Sequence, residues 1–126
     1  EGVRLSWGLG LLPKTLVDHH LVKKGRIGRL FYAVADHLDH DILGIGIDEE
    51  TAVVVGPGGE FRIVGENSVI VVDGRGVDYS RVKFRRRGIP VAVTDVLVHV
   101  LSEGHGFDLI SRRPIPPAPG AASAAR

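Results

Sequence analysis

The chain has 126 residues, 44% of them hydrophobic, with sixteen basic against fifteen acidic side chains and a net charge of +1. That is enough for one domain with a real core, and the charge balance leaves no global field to recruit nucleic acid or an anionic membrane surface. Cysteine is absent, which excludes a disulfide framework and thiolate chemistry, and the apolar runs stay far short of the ~20 residues that span a membrane.

Residues 2–7 read as a strand, because Val3, Leu5 and Trp7 alternate from the first positions on. No charged-then-apolar leader opens the chain, and methionine is missing throughout, position 1 included. A fragment or processed piece with an absent partner segment is therefore expected. The setting expected is soluble and cytoplasmic, any signal peptide lying upstream. Gly8 to Pro13 read as a turn and 15–18 as a short extended piece. Ile27, Leu30, Phe31, Val34 and Leu38 then form the stripe of an amphipathic helix over about 24–37.

Ile45 and Ile47 alternate in a buried strand, which Thr51–Val55 continues into a hairpin closed by Gly56-Pro57-Gly58-Gly59, with 61–64 returning. Residues 68–72 form another strand, ended by Asp73-Gly74, and 96–101 a further one. From 114 to 126 the composition collapses to Pro, Ala, Gly and Ser, the mark of a disordered tail after a domain of residues 1–113. Strand, helix, strand and hairpins together make an α/β fold with a mixed sheet flanked by helices, whose parallel part needs an upstream partner strand.

Several motifs carry little chemistry. Gly8-Leu9-Gly10-Leu11-Leu12-Pro13 begins like a dinucleotide fingerprint, but Pro13 stands where the third glycine belongs. His37 and His40 are one helical turn apart, yet they sit at a helix end, where histidines suit the negative pole of the dipole. No metal or cofactor is expected. Lys83, Arg85, Arg86 and Arg87 lack the interleaved aromatics of a nucleic-acid platform and read as an exposed loop.

The segment Asp18-His19-His20 is richer. Neighbours in an extended strand point to opposite faces, so the two imidazoles do not readily share one metal. One faces a site and the other the structure. Such a histidine is either a general base or a hydrogen-bonded structural group. Glu49 continues the parity of Ile45 and Ile47, and is either an acid that orients an imidazole or a strand-end carboxylate facing water. Arg26 and Arg29 lie on one face of the helix start, where Gly25 and Gly28 allow close approach. Together they suit a carboxylate-bearing ligand.

Taken in order, "GLGLLPKTLVDHHLVKKGRIGRLFYAVA", "DILGIGIDEETA", "SVIVVDGRG" and "VLVHVLSEGHGFDL" resemble the C-terminal half of the cyanophycinases. These are serine peptidases related to dipeptidase E, with a fold like the class I glutamine amidotransferases, a flavodoxin-like mixed sheet. The resemblance runs from about Val3 to Pro114. It implies that His20, in a motif that is Asp-Gln-His-Phe in the family, is the triad base and that Glu49 is the triad acid. It implies further that Asp18, His19, Lys24, Arg26 and Arg29 line the substrate pocket, and that the intact protein is a homodimer.

The implied substrate is cyanophycin, a polyaspartate carrying arginine on its side-chain carboxyls, cut to β-aspartyl-arginine. Asp18 would then meet an arginine guanidinium, and Arg26 or Arg29 a terminal carboxylate. The sequence departs from the family pattern at His19, usually Gln, at Leu21, usually aromatic, and at Lys24, commonly Arg, which bears on substrate preference. The family's nucleophile lies on a glycine-framed elbow in the N-terminal half. Ser6, Ser68, Ser80, Ser102, Ser111 and Ser123 lack that frame, so the fragment alone is expected to be inactive. The alternatives are a β-aspartyl or aspartyl dipeptidase and a non-catalytic peptide-binding relative.

Overall fold

The computed structural model describes residues 8–20, 26–36, 41–77 and 92–120. The predicted strand at 2–7 and the basic run at 83–87 lie outside them. In chain order the elements are β1 (Thr15–His19), α1 (Ile27–Asp36), β2 (Leu43–Ile47), β3 (Thr51–Val55), β4 (Glu60–Gly65), β5 (Val69–Asp73), β6 (Leu97–Leu101), β7 (Gly106–Asp108) and β8 (Arg113–Ile115). They build two four-stranded sheets, β1-β2-β5-β6 and β3-β4-β7-β8.

The first sheet is mixed. β1 and β2 run parallel, as a strand–helix–strand connection through α1 requires, while β5 and β6 are antiparallel additions. The parallel pair thus comes from within the chain, and the upstream strand expected from sequence is not needed to form it. The second sheet is antiparallel throughout.

Side-chain alternation along β5 shows how the layers stack. Val69 and Val71 point between the sheets and pack with Leu43, Ile45, Phe61, Ile63, Leu101 and Phe107. Ile70 and Val72 point the other way, against Leu30 and Val34 of α1. A strand covered on both faces is apolar at successive positions rather than at alternate ones, which is why "VIVV" reads as it does. The mixed α/β character is as expected, but the layer opposite α1 is a second sheet rather than another helix.

The helix sits close because β2 has a glycine beneath it. A Cβ at Gly44 would lie 2.6 Å from Val34 Cγ2 and 3.0 Å from Leu30 Cδ1. At the helix start the predicted stripe shifts, since Ile27 is partly exposed whereas Ala33 and Ala35 are buried.

Two boundaries differ from the sequence reading. Thr51–Val55 does not continue β2. The chain turns at 48–50, with Glu50 at φ 52°, and β3 enters the other sheet. Pro114 and Ile115, read as the start of a tail, instead pair with Phe107 and Gly106. A buried charge network holds this region to the first sheet. Arg112 Nη1 lies 3.2 Å from Asp73 Oδ1 and 3.3 Å from Asp41 Oδ1, and Arg75 grips the same Asp73 carboxylate at 2.8 Å. Burial pushes the Asp73 carboxyl up, but the hydrogen bonds and charge of Arg75, with the charge of Arg112, outweigh it and hold the pKa below its usual value.

Candidate active site

Parallel strands end on the same edge of a sheet, and the register of β1 and β2 sets which residues meet there. Asp18 lies beside Gly46 and His19 beside Ile47. His20 is the first residue past β1. Its N–H donates to the Ile47 carbonyl at 3.0 Å, and its φ of 57° turns the backbone out of the strand. That left-handed region is uncommon for a side-chain-bearing residue.

Glu49 leaves the end of β2 in the following turn. Its Oε1 lies 3.3 Å from His20 Nδ1, with the glutamate side chain 25% and the histidine 49% exposed. The imidazole thus meets a carboxylate at Nδ1 and is about half exposed. The glutamate's backbone is itself fixed, because its carbonyl accepts from Asn67 Nδ2 at 2.7 Å and from Thr51 Oγ1 at 2.9 Å. The neighbouring Asp48 is turned inward, with a buried Oδ1. Glu49, the carboxylate that strand parity singles out, is the one that meets His20, and it sits in the turn beyond β2 rather than on it.

Asp18 and Arg29 find each other. Arg29 Nε donates to Asp18 Oδ2 at 2.7 Å and Arg29 Nη2 to Oδ1, a two-pronged pair from helix to strand. The same Oδ1 accepts from the His19 N–H at 2.9 Å. The hydrogen bonds that Arg29 donates to Asp18, against a smaller desolvation effect, raise the Arg29 guanidinium pKa above its usual value. The His19 ring is exposed and stands edge-on to that of His20, the centroids 6.1 Å apart. Arg26 is half-buried just before α1, and its carbonyl accepts from the Arg29 N–H.

Lys24 lies outside the described residues, as do His37 and His40. The glycine-rich segment before β1 is exposed, with Leu9 and Leu11 at 91% and 80%. An open apolar groove lined by Gly28, Phe31, Tyr32, Val93, Val96 and Val98 contains none of the site residues.

Sequence reasoning missed that Asp18 and Arg29 satisfy one another, and that Asn67 and Thr51 fix the Glu49 backbone. A strand-end acid followed by an arginine in the first helical turn was a usable signal for the first. Nothing local pointed to the second, which depends on how the 48–50 turn meets the turn before β5.

No protein-family profile matches the chain. It is 37% identical over 107 residues to a cyanophycinase of Synechococcus elongatus, covering 85% of this chain and 33% of that protein. It is 38% identical over 114 residues to one of Nostoc sp., covering 90% and 38%. A cyanophycinase of Geminocystis herdmanii is 30% identical over 113 residues, covering 90% and 41%. The chain therefore spans about a third to two-fifths of the length of the curated relatives it matches. These matches bear out the resemblance read from the sequence, to a C-terminal part of a cyanophycinase.

Proposed function

We propose that this homologue of part of a cyanophycinase supplies the general base and its orienting acid to a serine peptidase that degrades cyanophycin to β-aspartyl-arginine dipeptides. The observation that carries the reading is the approach of His20 and Glu49 at the shared end of two parallel strands. The homology of almost the whole chain to cyanophycinases supports the substrate class.

In this reading a serine outside the chain attacks the amide carbonyl, and His20 Nε2 takes its proton as the new C–O bond forms. The imidazolium then returns the proton to the departing amine as the C–N bond breaks, leaving an acyl-enzyme. Water, deprotonated by the same imidazole, hydrolyses that ester and restores the serine. Glu49 keeps the proton of neutral His20 on Nδ1, so that the Nε2 lone pair faces the nucleophile, and it stabilises the imidazolium when that forms.

Arg26 is assigned to a substrate carboxylate and His19 to the rim of the pocket, with Lys24 as a further cation. Asp18 and Arg29 flank the same pocket, each already held by the other. The test is the full-length protein, with all its flanking sequence, incubated with cyanophycin while dipeptide release is followed. Release that depends on His20 supports the reading. Activity only on small aspartyl dipeptides would reassign the substrate, and peptide binding without turnover would make the chain part of a binding protein.

A further inference from the structure

We infer that the Asp18–Arg29 pair is a positioning device for His20, an inference that rests on reading His20 as the base. The Asp18 carboxylate takes donors from the His19 N–H and from two nitrogens of Arg29. It sits two residues before His20, whose left-handed backbone is held on its other side by the Ile47 carbonyl. A non-glycine residue stays in that conformation only where its surroundings impose it. Arg29 comes from a fixed element, because Leu30 and Val34 seat α1 on Gly44, Ile70 and Val72.

The guanidinium therefore links the helix to the strand end, and the His19 N–H carries the restraint into the peptide that sets the direction of the His20 ring. A role limited to holding α1 on the sheet is poorly matched to this geometry. The helix is already packed by its apolar face, and a partly exposed ion pair adds little to stability.

The test reads which ring nitrogen of His20 carries the proton, by long-range nitrogen–proton correlation NMR on the full-length protein at about pH 9, well above the ordinary imidazole range. An unrestrained imidazole prefers the proton on Nε2, whereas one facing Glu49 through Nδ1 carries it there. Glu49→Ala shifts the ratio toward Nε2–H. Asp18→Asn and Arg29→Gln are expected to shift it the same way by about fivefold, the ratio that one ordinary hydrogen bond sets. Arg29→Lys, which keeps the charge without the fork, recovers part of the shift.

Because Arg29 is on the half-exposed side of α1, its variants keep the test available if Asp18→Asn fails to fold. An unchanged ratio in the Asp18 and Arg29 variants, with Glu49→Ala still effective, overturns the positioning role and leaves the His20–Glu49 pair standing. No response to Glu49→Ala removes the pair itself and the inference with it.

Discussion

His20 and Glu49 face each other across 3.3 Å from the ends of two parallel strands joined by a single helix. The two residues are 29 positions apart in sequence and meet only through the fold. The contact exists because a strand–helix–strand unit brings two exits to one edge, the place where open α/β sheets gather functional side chains.

If Glu49 orients the imidazole, Glu49→Gln in the full-length protein preserves the shape of the site and removes the charge that favours Nδ1–H. The expected loss is about 10⁴-fold in kcat on cyanophycin, the scale seen when a triad acid is made neutral, with KM little changed. Steady-state kinetics on the polymer checks it. A loss confined to KM would assign Glu49 to substrate binding instead.

Arg26 lies half-buried just before α1. Removing a charge-assisted contact to a substrate carboxylate costs roughly tenfold or more in affinity. Arg26→Ala is thus expected to raise KM by about that factor and to leave kcat nearly intact. Arg26→Lys, lacking the planar fork, restores only part of it.

The Asp73 carboxyl, 3% exposed between Arg75 and Arg112, has its folded-state pKa held below the usual value. A depressed carboxylate adds stability above the unfolded pKa of about 3.9 and loses it as pH falls through the folded value. Urea midpoints should therefore drop between about pH 5 and pH 2, and Asp73→Asn should flatten that drop while lowering stability at neutral pH. An acid limb as steep in the variant as in the parent would assign the loss to other carboxylates.

Gly44→Ala places a methyl where Val34 and Leu30 of the helix already stand. Overpacking of this kind costs about 1–3 kcal/mol, and lifting α1 from β2 also moves Arg29 relative to Asp18. Denaturation measures the first effect and the His20 tautomer ratio the second.

Much of the first sheet was legible because its strands and helix carry strong periodic signals. The stripe around Leu30 and Val34, the alternation of Ile45 and Ile47, and the apolar run at Val69–Asp73 all became elements close to where they were expected. The second sheet was harder. β7 and β8 have three residues each, too few for a period to register, and Pro114 in β8 argued for a tail because its composition outweighed a pairing set by Phe107. The break between β2 and β3 was hidden by Asp48-Glu49-Glu50, polar residues that fit a strand exit as well as a strand. At the site, Asp18, His20, Glu49 and Arg29 were all legible as residue types. Who pairs with whom was not, because the Asp18–Arg29 pair depends on the helix folding back over the strand it follows.

The most direct measurement is the release of β-aspartyl-arginine from cyanophycin by the full-length protein, wild type against His20→Ala, with folding of the variant verified by its thermal transition. Dipeptide release by the wild type, reduced by on the order of a millionfold in a folded His20→Ala variant, is the predicted result. Release that survives the loss of His20 would contradict the assignment of the base, and with it the catalytic role given to this chain.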